Sequence, residues 1–168
     1  PVLGIGISTE YGSSAPKGTP KPLTFRKSHP EYASFLEIGI EVEKGLDSNT
    51  KKWVKKGLPT TYHFLDLNLD EPEDLDSLWL NKTRALIEQI NPAWICGDAG
   101  MWHFGERERG QMLLLPPVLT DDSASDYAEG VRRLRAETGL EVIPENPPGI
   151  VFLGDLHILD FFARLTEK

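Results

Sequence analysis

Residues 60–97 read TTYHFLDLNLDEPEDLDSLWLNKTRALIEQINPAWICG, and this stretch decides the fold. It contains two short, mostly apolar runs, TTYHFLDL at 60–67 and AWICG at 93–97. Between them, apolar residues recur at helical spacing from Leu75 to Ile90. A strand, a helix and a second strand in this order predict a parallel βαβ unit.

The same alternation extends in both directions along the chain. Further strand-like runs occupy Val2–Ser8, Phe35–Ile40 and Leu140–Pro144. Further helical patterns cover Asn49–Lys56, Ala124–Leu134 and Leu156–Ala163, and the second of these has a start signal at Thr120–Asp122 and a stop at Gly139. The pattern predicts an α/β fold: the first five strand-helix units of a (β/α)8 TIM-type barrel, in a single domain over residues 1–168.

Two other features bear on this fold. No Gly-rich phosphate loop follows the first strand, which argues against an open nucleotide-binding sheet. Long segments at 11–30 and 103–117 are predicted to be mobile loops.

Composition narrows the classes of partner. The chain is 39% hydrophobic and carries a net charge of -8, which opposes binding to nucleic acid or to anionic membranes. No apolar run approaches the length of a transmembrane helix, and the N-terminus has no secretory signal pattern. The single cysteine, Cys96, is expected in the core of a protein from a reducing compartment. These features predict a cytoplasmic protein whose partners are small molecules, metals or peptides.

Polar residues gather where the predicted strands end, the edge at which parallel barrels place their reactive groups. They are Glu10, Glu37, Glu41, His63, Asp66, Asp98, Glu145 and Asn146. Carboxylates and imidazole converging on one mouth favour a site for iron, manganese or zinc. Structural roles stay open: His63 as a core histidine bonded to a carbonyl, Glu37 as an ion-pair partner, Asp98 as a turn cap. The rigid PENPPG exit favours a functional Glu145, whereas His103 and His157 are expected on the surface or on a helix face.

Six segments taken in order resemble the multinuclear non-haem iron-dependent oxidative enzymes, a TIM-barrel family that includes the methanobactin-biosynthesis oxygenase. They are LGIGIS (3–8), FLEIGIE (35–41), YHFLDLNL (62–69), NPAWICGDAGMW (91–102), LLLPPVLT (113–120) and TGLEVIPENPP (138–148). His63 and Glu145 match metal-binding residues of that family, and Asp98, Glu37 and Glu41 match its acids. Gly39 and Ala99 stand where the family has histidines.

The resemblance implies the N-terminal part of an iron-dependent oxidoreductase that modifies a peptide side chain such as cysteine. It implies two or three iron ions, held by His63, Glu145 and Asp98, with Glu37, Glu41, Asn146 and Asp66 as further ligands or as residues that orient the ligands. It also implies a partner protein that presents the peptide.

Two alternatives stay open from the residues. One is a divalent-metal sugar isomerase or epimerase, with manganese or zinc. The other is a degenerate, metal-free barrel that binds a peptide or protein without turnover. Five strand-helix units alone would expose strand edges, which predicts a homodimer or aggregation.

Overall fold

The computed structural model describes residues 2–9, 18, 20–105, 107, 114–149 and 152–167. The chain divides into two compact units. The first unit comprises Pro1–Phe64 and Asn81–Cys96, and the second comprises Leu65–Leu80 and Gly97–Lys168. None of the helices in the described ranges is long and apolar enough to cross a membrane.

The strands and helices alternate as the sequence predicts. The strands are β1 (Ile7–Thr9), β2 (Leu36–Ile40), β3 (Thr60–Phe64), β4 (Ile95–Asp98), β5 (Val118–Leu119), β6 (Val142–Glu145) and β7 (Leu153–Gly154). The helices are α1 (Pro22–Ser28), α2 (Ser48–Lys55), α3 (Ser77–Ile90), α4 (Asp121–Thr138) and α5 (Ile158–Glu167), with short 3-10 turns at Pro30–Tyr32 and Pro72–Asp74.

The principal sheet has the order β1-β2-β3-β4-β6, and the pairs β1–β2, β2–β3 and β3–β4 are parallel. Each of these five strands is followed along the chain by a helix. A doubly wound sheet reverses its strand order at a switch point, whereas the strands of a TIM-type barrel follow one another consecutively. The consecutive order confirms the predicted α/β class and the five strand-helix units of a TIM-type barrel.

Local sequence explains the ends of the helices. The Asp47 side chain accepts hydrogen bonds from the backbone N–H groups of Asn49 and Thr50 and so caps α2. Thr120 caps α4 through the N–H of Ser123, and Gly139 ends that helix in the left-handed conformation at φ 71°. The start and stop signals predicted for α4 are therefore confirmed.

Several predicted boundaries were wrong. The strand expected at Val2–Ser8 is only Ile7–Thr9, because Gly4 has a φ of 88°, which extended backbone does not adopt. The loop expected at 11–30 contains α1, whose start is favoured by Pro22 in its first turn. The parallel pair β5–β7 was not predicted, since its strands have two residues each. Glu10, residues 11–17 and 19 of the first loop, and residues 106 and 108–113 of the second loop lie outside the described residues.

Each unit has its own packed interior. In the first, Trp53, Leu36 and Tyr62 are fully buried, and the Trp53 indole N–H donates to the Pro59 carbonyl at 3.0 Å. In the second, the rings of Tyr127 and Phe161 meet edge to face at 6.1 Å, which joins α4 to α5.

Candidate functional site

The register of β1 to β4 sorts the side chains of the first unit onto two faces. Side chains alternate along a strand, and paired residues of neighbouring parallel strands point to the same side. One side is mainly apolar and includes Leu36, Ile38, Tyr62 and Ile95. The other side, called the polar face below, carries Ser8, Glu37, Gly39, Thr61, His63 and Cys96. The sheet therefore separates a core-forming face from a face rich in chemically active groups.

Glu37 and Cys96 meet on this polar face. The Cys96 thiol lies 3.4 Å from Glu37 Oε2, and 3.5 Å from the Tyr62 carbonyl. Neighbouring strands lie about 4.8 Å apart, so both side chains must lean over β3 to touch. Cys96 is 1% exposed and Glu37 is half-buried, so the thiol is shielded from solvent while the carboxylate keeps partial access to it. The sequence predicted that Cys96 lies in the core, but no sequence pattern indicated its contact with Glu37.

His63 also lies on the polar face, at 4% exposure. In the register it pairs with Gly39 on one side and with Cys96 on the other. The family resemblance would require histidines at Gly39 and Ala99, and Ala99 is fully buried. Neither glycine nor alanine offers a ligand atom, so a centre with several iron ions would lack these two ligands.

Asp98 and Glu145 belong to the second unit. Asp98 is the last residue of β4, two residues after Cys96, and is 9% exposed. Glu145 ends β6, where its carbonyl accepts a hydrogen bond from the Ala99 N–H at 2.8 Å. Asn146, the next residue, is exposed. Metal binding by His63, Asp98 and Glu145 stays a prediction.

The other two predicted acids have structural partners. Glu41 is buried and forms a salt bridge with Lys44, whose Nζ lies 2.7 Å from Glu41 Oε1. Asp66 is buried in the second unit and accepts a hydrogen bond from the indole N–H of Trp79 at 3.1 Å. These contacts explain how both carboxylates can be buried. The role of Glu41 and Asp66 beside a metal stays a prediction.

The prediction that His103 lies on the surface was wrong. His103 is 8% exposed and its Nε2 lies 2.7 Å from Asp74 Oδ2, while its Nδ1 lies 2.8 Å from the Gly105 carbonyl. Asn68 donates from its backbone to the same Asp74 oxygen at 2.7 Å and from its side chain to the His103 carbonyl at 2.9 Å. This buried network fixes the segment that follows β4. No short sequence motif predicts this network, because His103 and Asp74 are 29 residues apart along the chain.

His157, in contrast, is exposed as predicted and accepts a hydrogen bond from the backbone N–H of Leu159 near the start of α5.

Another group of residues in the second unit surrounds a small cavity of about 50 Å³. The cavity is lined by Leu69, Asp70, Pro72, Leu75, Asp126, Glu129, Gly130 and Arg133. Burial raises the pKa of Asp70 above its ordinary value. Burial also raises the pKa of the neighbouring Tyr127, and the negative charge of Asp70 adds to that effect. Arg133 is held by the carbonyls of Pro72 and Leu75 at 2.7 and 2.8 Å.

No family model matches this chain, and no curated protein sequence matches it either. Neither comparison therefore supports the resemblance to iron-dependent oxidative enzymes. Among solved structures, the chain is similar to the apo form of the 3-keto-D-glucoside 4-epimerase YcjR from E. coli, at 18% identity and a TM-score of 0.48 over 85% of this chain and 56% of that one. It is also similar to an L-ribulose 3-epimerase, at 13% identity and a TM-score of 0.49 over 98% of this chain and 58% of that one. The chain thus spans slightly more than half the length of these two proteins.

Proposed function

We propose that this chain is part of a divalent-metal-dependent isomerase or epimerase that acts on a small carbonyl compound of the sugar class. The observation that carries the proposal is the meeting of Glu37 and Cys96 on the polar face that also holds His63. Carboxylate, thiolate and imidazole are the donors that bind zinc, iron and related divalent ions. The polar face therefore has the chemistry of a metal site.

The residues divide into those that would hold the ion and those that would shape the site. Glu37 and Cys96 would hold it, and His63, which pairs with Cys96 in the strand register, is proposed as a further ligand. A bound divalent cation would supply a Lewis acid that polarises a carbonyl or hydroxyl oxygen of the substrate. The burial of Cys96 and His63 excludes water from the protein side of the site, which strengthens electrostatic interactions with a bound substrate.

The ligand set favours this chemistry over iron-dependent oxidation of a peptide. Glycine at 39 and alanine at 99 offer no ligand atoms where a centre of two or three irons would use histidines. Isomerisation and epimerisation next to a carbonyl move a proton without an external oxidant, and the carboxylates predicted at the strand ends are groups that can move it.

Elemental analysis of the purified protein, followed by titration with Mn²⁺, Co²⁺, Zn²⁺ and anaerobic Fe²⁺, tests the metal site. We expect one ion per chain, with the affinity lowered at least about tenfold in Glu37→Gln and in Cys96→Ser. His63→Gln tests the additional ligand. Glu43→Gln removes a half-exposed carboxylate of the same unit and should leave the affinity unchanged.

Proton transfer is then measured by NMR, as deuterium uptake from D₂O into a panel of neutral ketoses with the preferred metal. Uptake that depends on Glu37 supports the proposal. Metal binding without uptake would overturn the proposed proton transfer, and oxygen consumption with iron would restore the oxidative enzyme. Absence of any bound metal would overturn the proposal.

A further inference from the structure

Thr61 carries a buried hydroxyl without a hydrogen-bond partner among the described residues. The residue is completely buried and is the second residue of β3. The hydroxyl of the neighbouring residue Thr60 is also buried, but it has a hydrogen-bond partner. It donates to the Ile90 carbonyl at 2.8 Å. A buried hydroxyl that lacks such a partner carries an uncompensated desolvation cost and requires an explanation.

The position of Thr61 supplies that explanation. Thr61 pairs in register with Glu37 and stands two residues before His63, so its side chain belongs to the polar face. Glu37 reaches Cys96 over the same strand that carries Thr61. The orphan hydroxyl therefore lies on the face where the proposed metal ligands gather.

The chemistry of this face limits what the hydroxyl can bind. Among the described residues that share the face, the groups are two hydroxyls, a carboxylate, an imidazole and a thiol, without a lysine or an arginine. A phosphorylated ligand would call for a cation or a helix N-terminus beside it. A neutral hydroxyl group suits the threonine better, because each hydroxyl can both donate and accept a hydrogen bond.

We propose that Thr61 is a substrate-binding residue whose hydroxyl bonds a hydroxyl group of a neutral, polyhydroxylated substrate, so that the site takes free sugars in preference to sugar phosphates. This inference rests on the proposed function and narrows its substrate class. It also predicts that the free protein is less stable than an isosteric variant without the hydroxyl, since the ligand is what compensates the buried group.

The test combines thermal unfolding of the metal-free protein with calorimetric titration of the Mn²⁺-loaded protein. The titrants are neutral ketopentoses and ketohexoses, with ribulose 5-phosphate as the charged comparison. Thr61→Val should raise the unfolding midpoint of the metal-free protein by about 2–4 °C. It should also weaken binding of the tightest neutral ketose about tenfold, and Thr61→Ser should retain that binding.

Thr83 provides a matched control. It lies on α3 of the same unit, is fully buried, and its hydroxyl also has no partner among the described residues. Thr83→Val should raise the midpoint to a similar extent while leaving ketose affinity unchanged. That result would separate the general effect of removing a buried hydroxyl from the specific effect on binding.

Two results would overturn the inference: a ketose affinity that is the same in Thr61→Val and in the natural sequence, or binding of no neutral ketose by a protein that binds Mn²⁺. In either case intact Mn²⁺ binding leaves the metal site standing. Failure of Mn²⁺ and every other ion to bind would overturn the proposed function as well.

Discussion

Cys96 and Glu37 show how a residue gains a functional context that its sequence neighbours do not reveal. They are 59 residues apart, and each stands inside an apolar run. The sequence correctly predicted a buried Cys96 and singled out Glu37, but an ion pair with a lysine or arginine was the structural alternative for Glu37. The contact with a thiol depends on the register of three strands, which short-range patterns do not specify.

Asp70 allows a test of electrostatics at the same scale. Its pKa in the folded state is raised above the ordinary value of 3.8, mainly by burial. The folded state therefore binds this proton more tightly than the unfolded state does. The protonated carboxyl group stabilises the folded state fully below its unfolded pKa, and this stabilisation is lost as the pH rises through the folded pKa. Asp70→Asn should therefore unfold at a higher urea concentration than the natural sequence at pH 7, and the difference should shrink towards pH 3.5.

Urea unfolding at the two pH values measures the effect. Glu88→Gln removes a charge from an exposed residue of α3 that does not line this cavity, and serves as the control. A lower midpoint for Asp70→Asn at pH 7 would contradict the assignment.

At the scale of elements, the helices with both ends signalled in the sequence were predicted best. Helix α4 begins after Thr120 and ends at Gly139 as expected, because capping groups act within one turn of the helix. Helix α1 was missed, since its segment PLTFRKS is short and lies among prolines and basic residues that are typical of a loop.

Gly130 tests how closely α4 packs in the second unit. A Cβ atom at this position would lie 1.8 Å from the Leu69 carbonyl oxygen, far inside contact distance. Gly130→Ala should therefore destabilise the protein by about 2–3 kcal/mol. On an open helix surface the same change would stabilise by about 0.5–1 kcal/mol, because alanine favours helix more than glycine does.

Chemical denaturation decides the sign of this effect. Arg132→Ala places an alanine on the exposed side of the same helix and should change stability by no more than about 0.5 kcal/mol. Stabilisation by Gly130→Ala would show that the contact with Leu69 is not close.

At the scale of the whole molecule, exposed apolar side chains support the expected self-association. Val118 and Leu153 are paired in register between β5 and β7 and are 49% and 70% exposed. Leu159, at the start of α5, is 72% exposed. Neighbouring exposed apolar residues favour contact with another protein surface.

We expect the 168-residue chain to form dimers or larger assemblies at micromolar concentration. Leu153→Asp should shift the population towards monomers in size-exclusion chromatography with light scattering. Val2→Asp changes a fully exposed apolar residue of the first unit and should leave the assembly state unchanged. A natural chain that is monomeric throughout this range would contradict the expectation. The cytoplasmic location and the peptide-presenting partner stay predictions.

The sequence by itself determined the α/β class, the succession of five strand-helix units and both ends of α4, because periodicity and capping are local properties. It also indicated that polar residues gather at strand ends. Only the tertiary structure decided that Thr61, Glu37 and Cys96 share one face, that His103 is buried against Asp74, and that Gly130 touches Leu69. These facts depend on strand register and on helix packing, which bring together residues that are far apart along the chain.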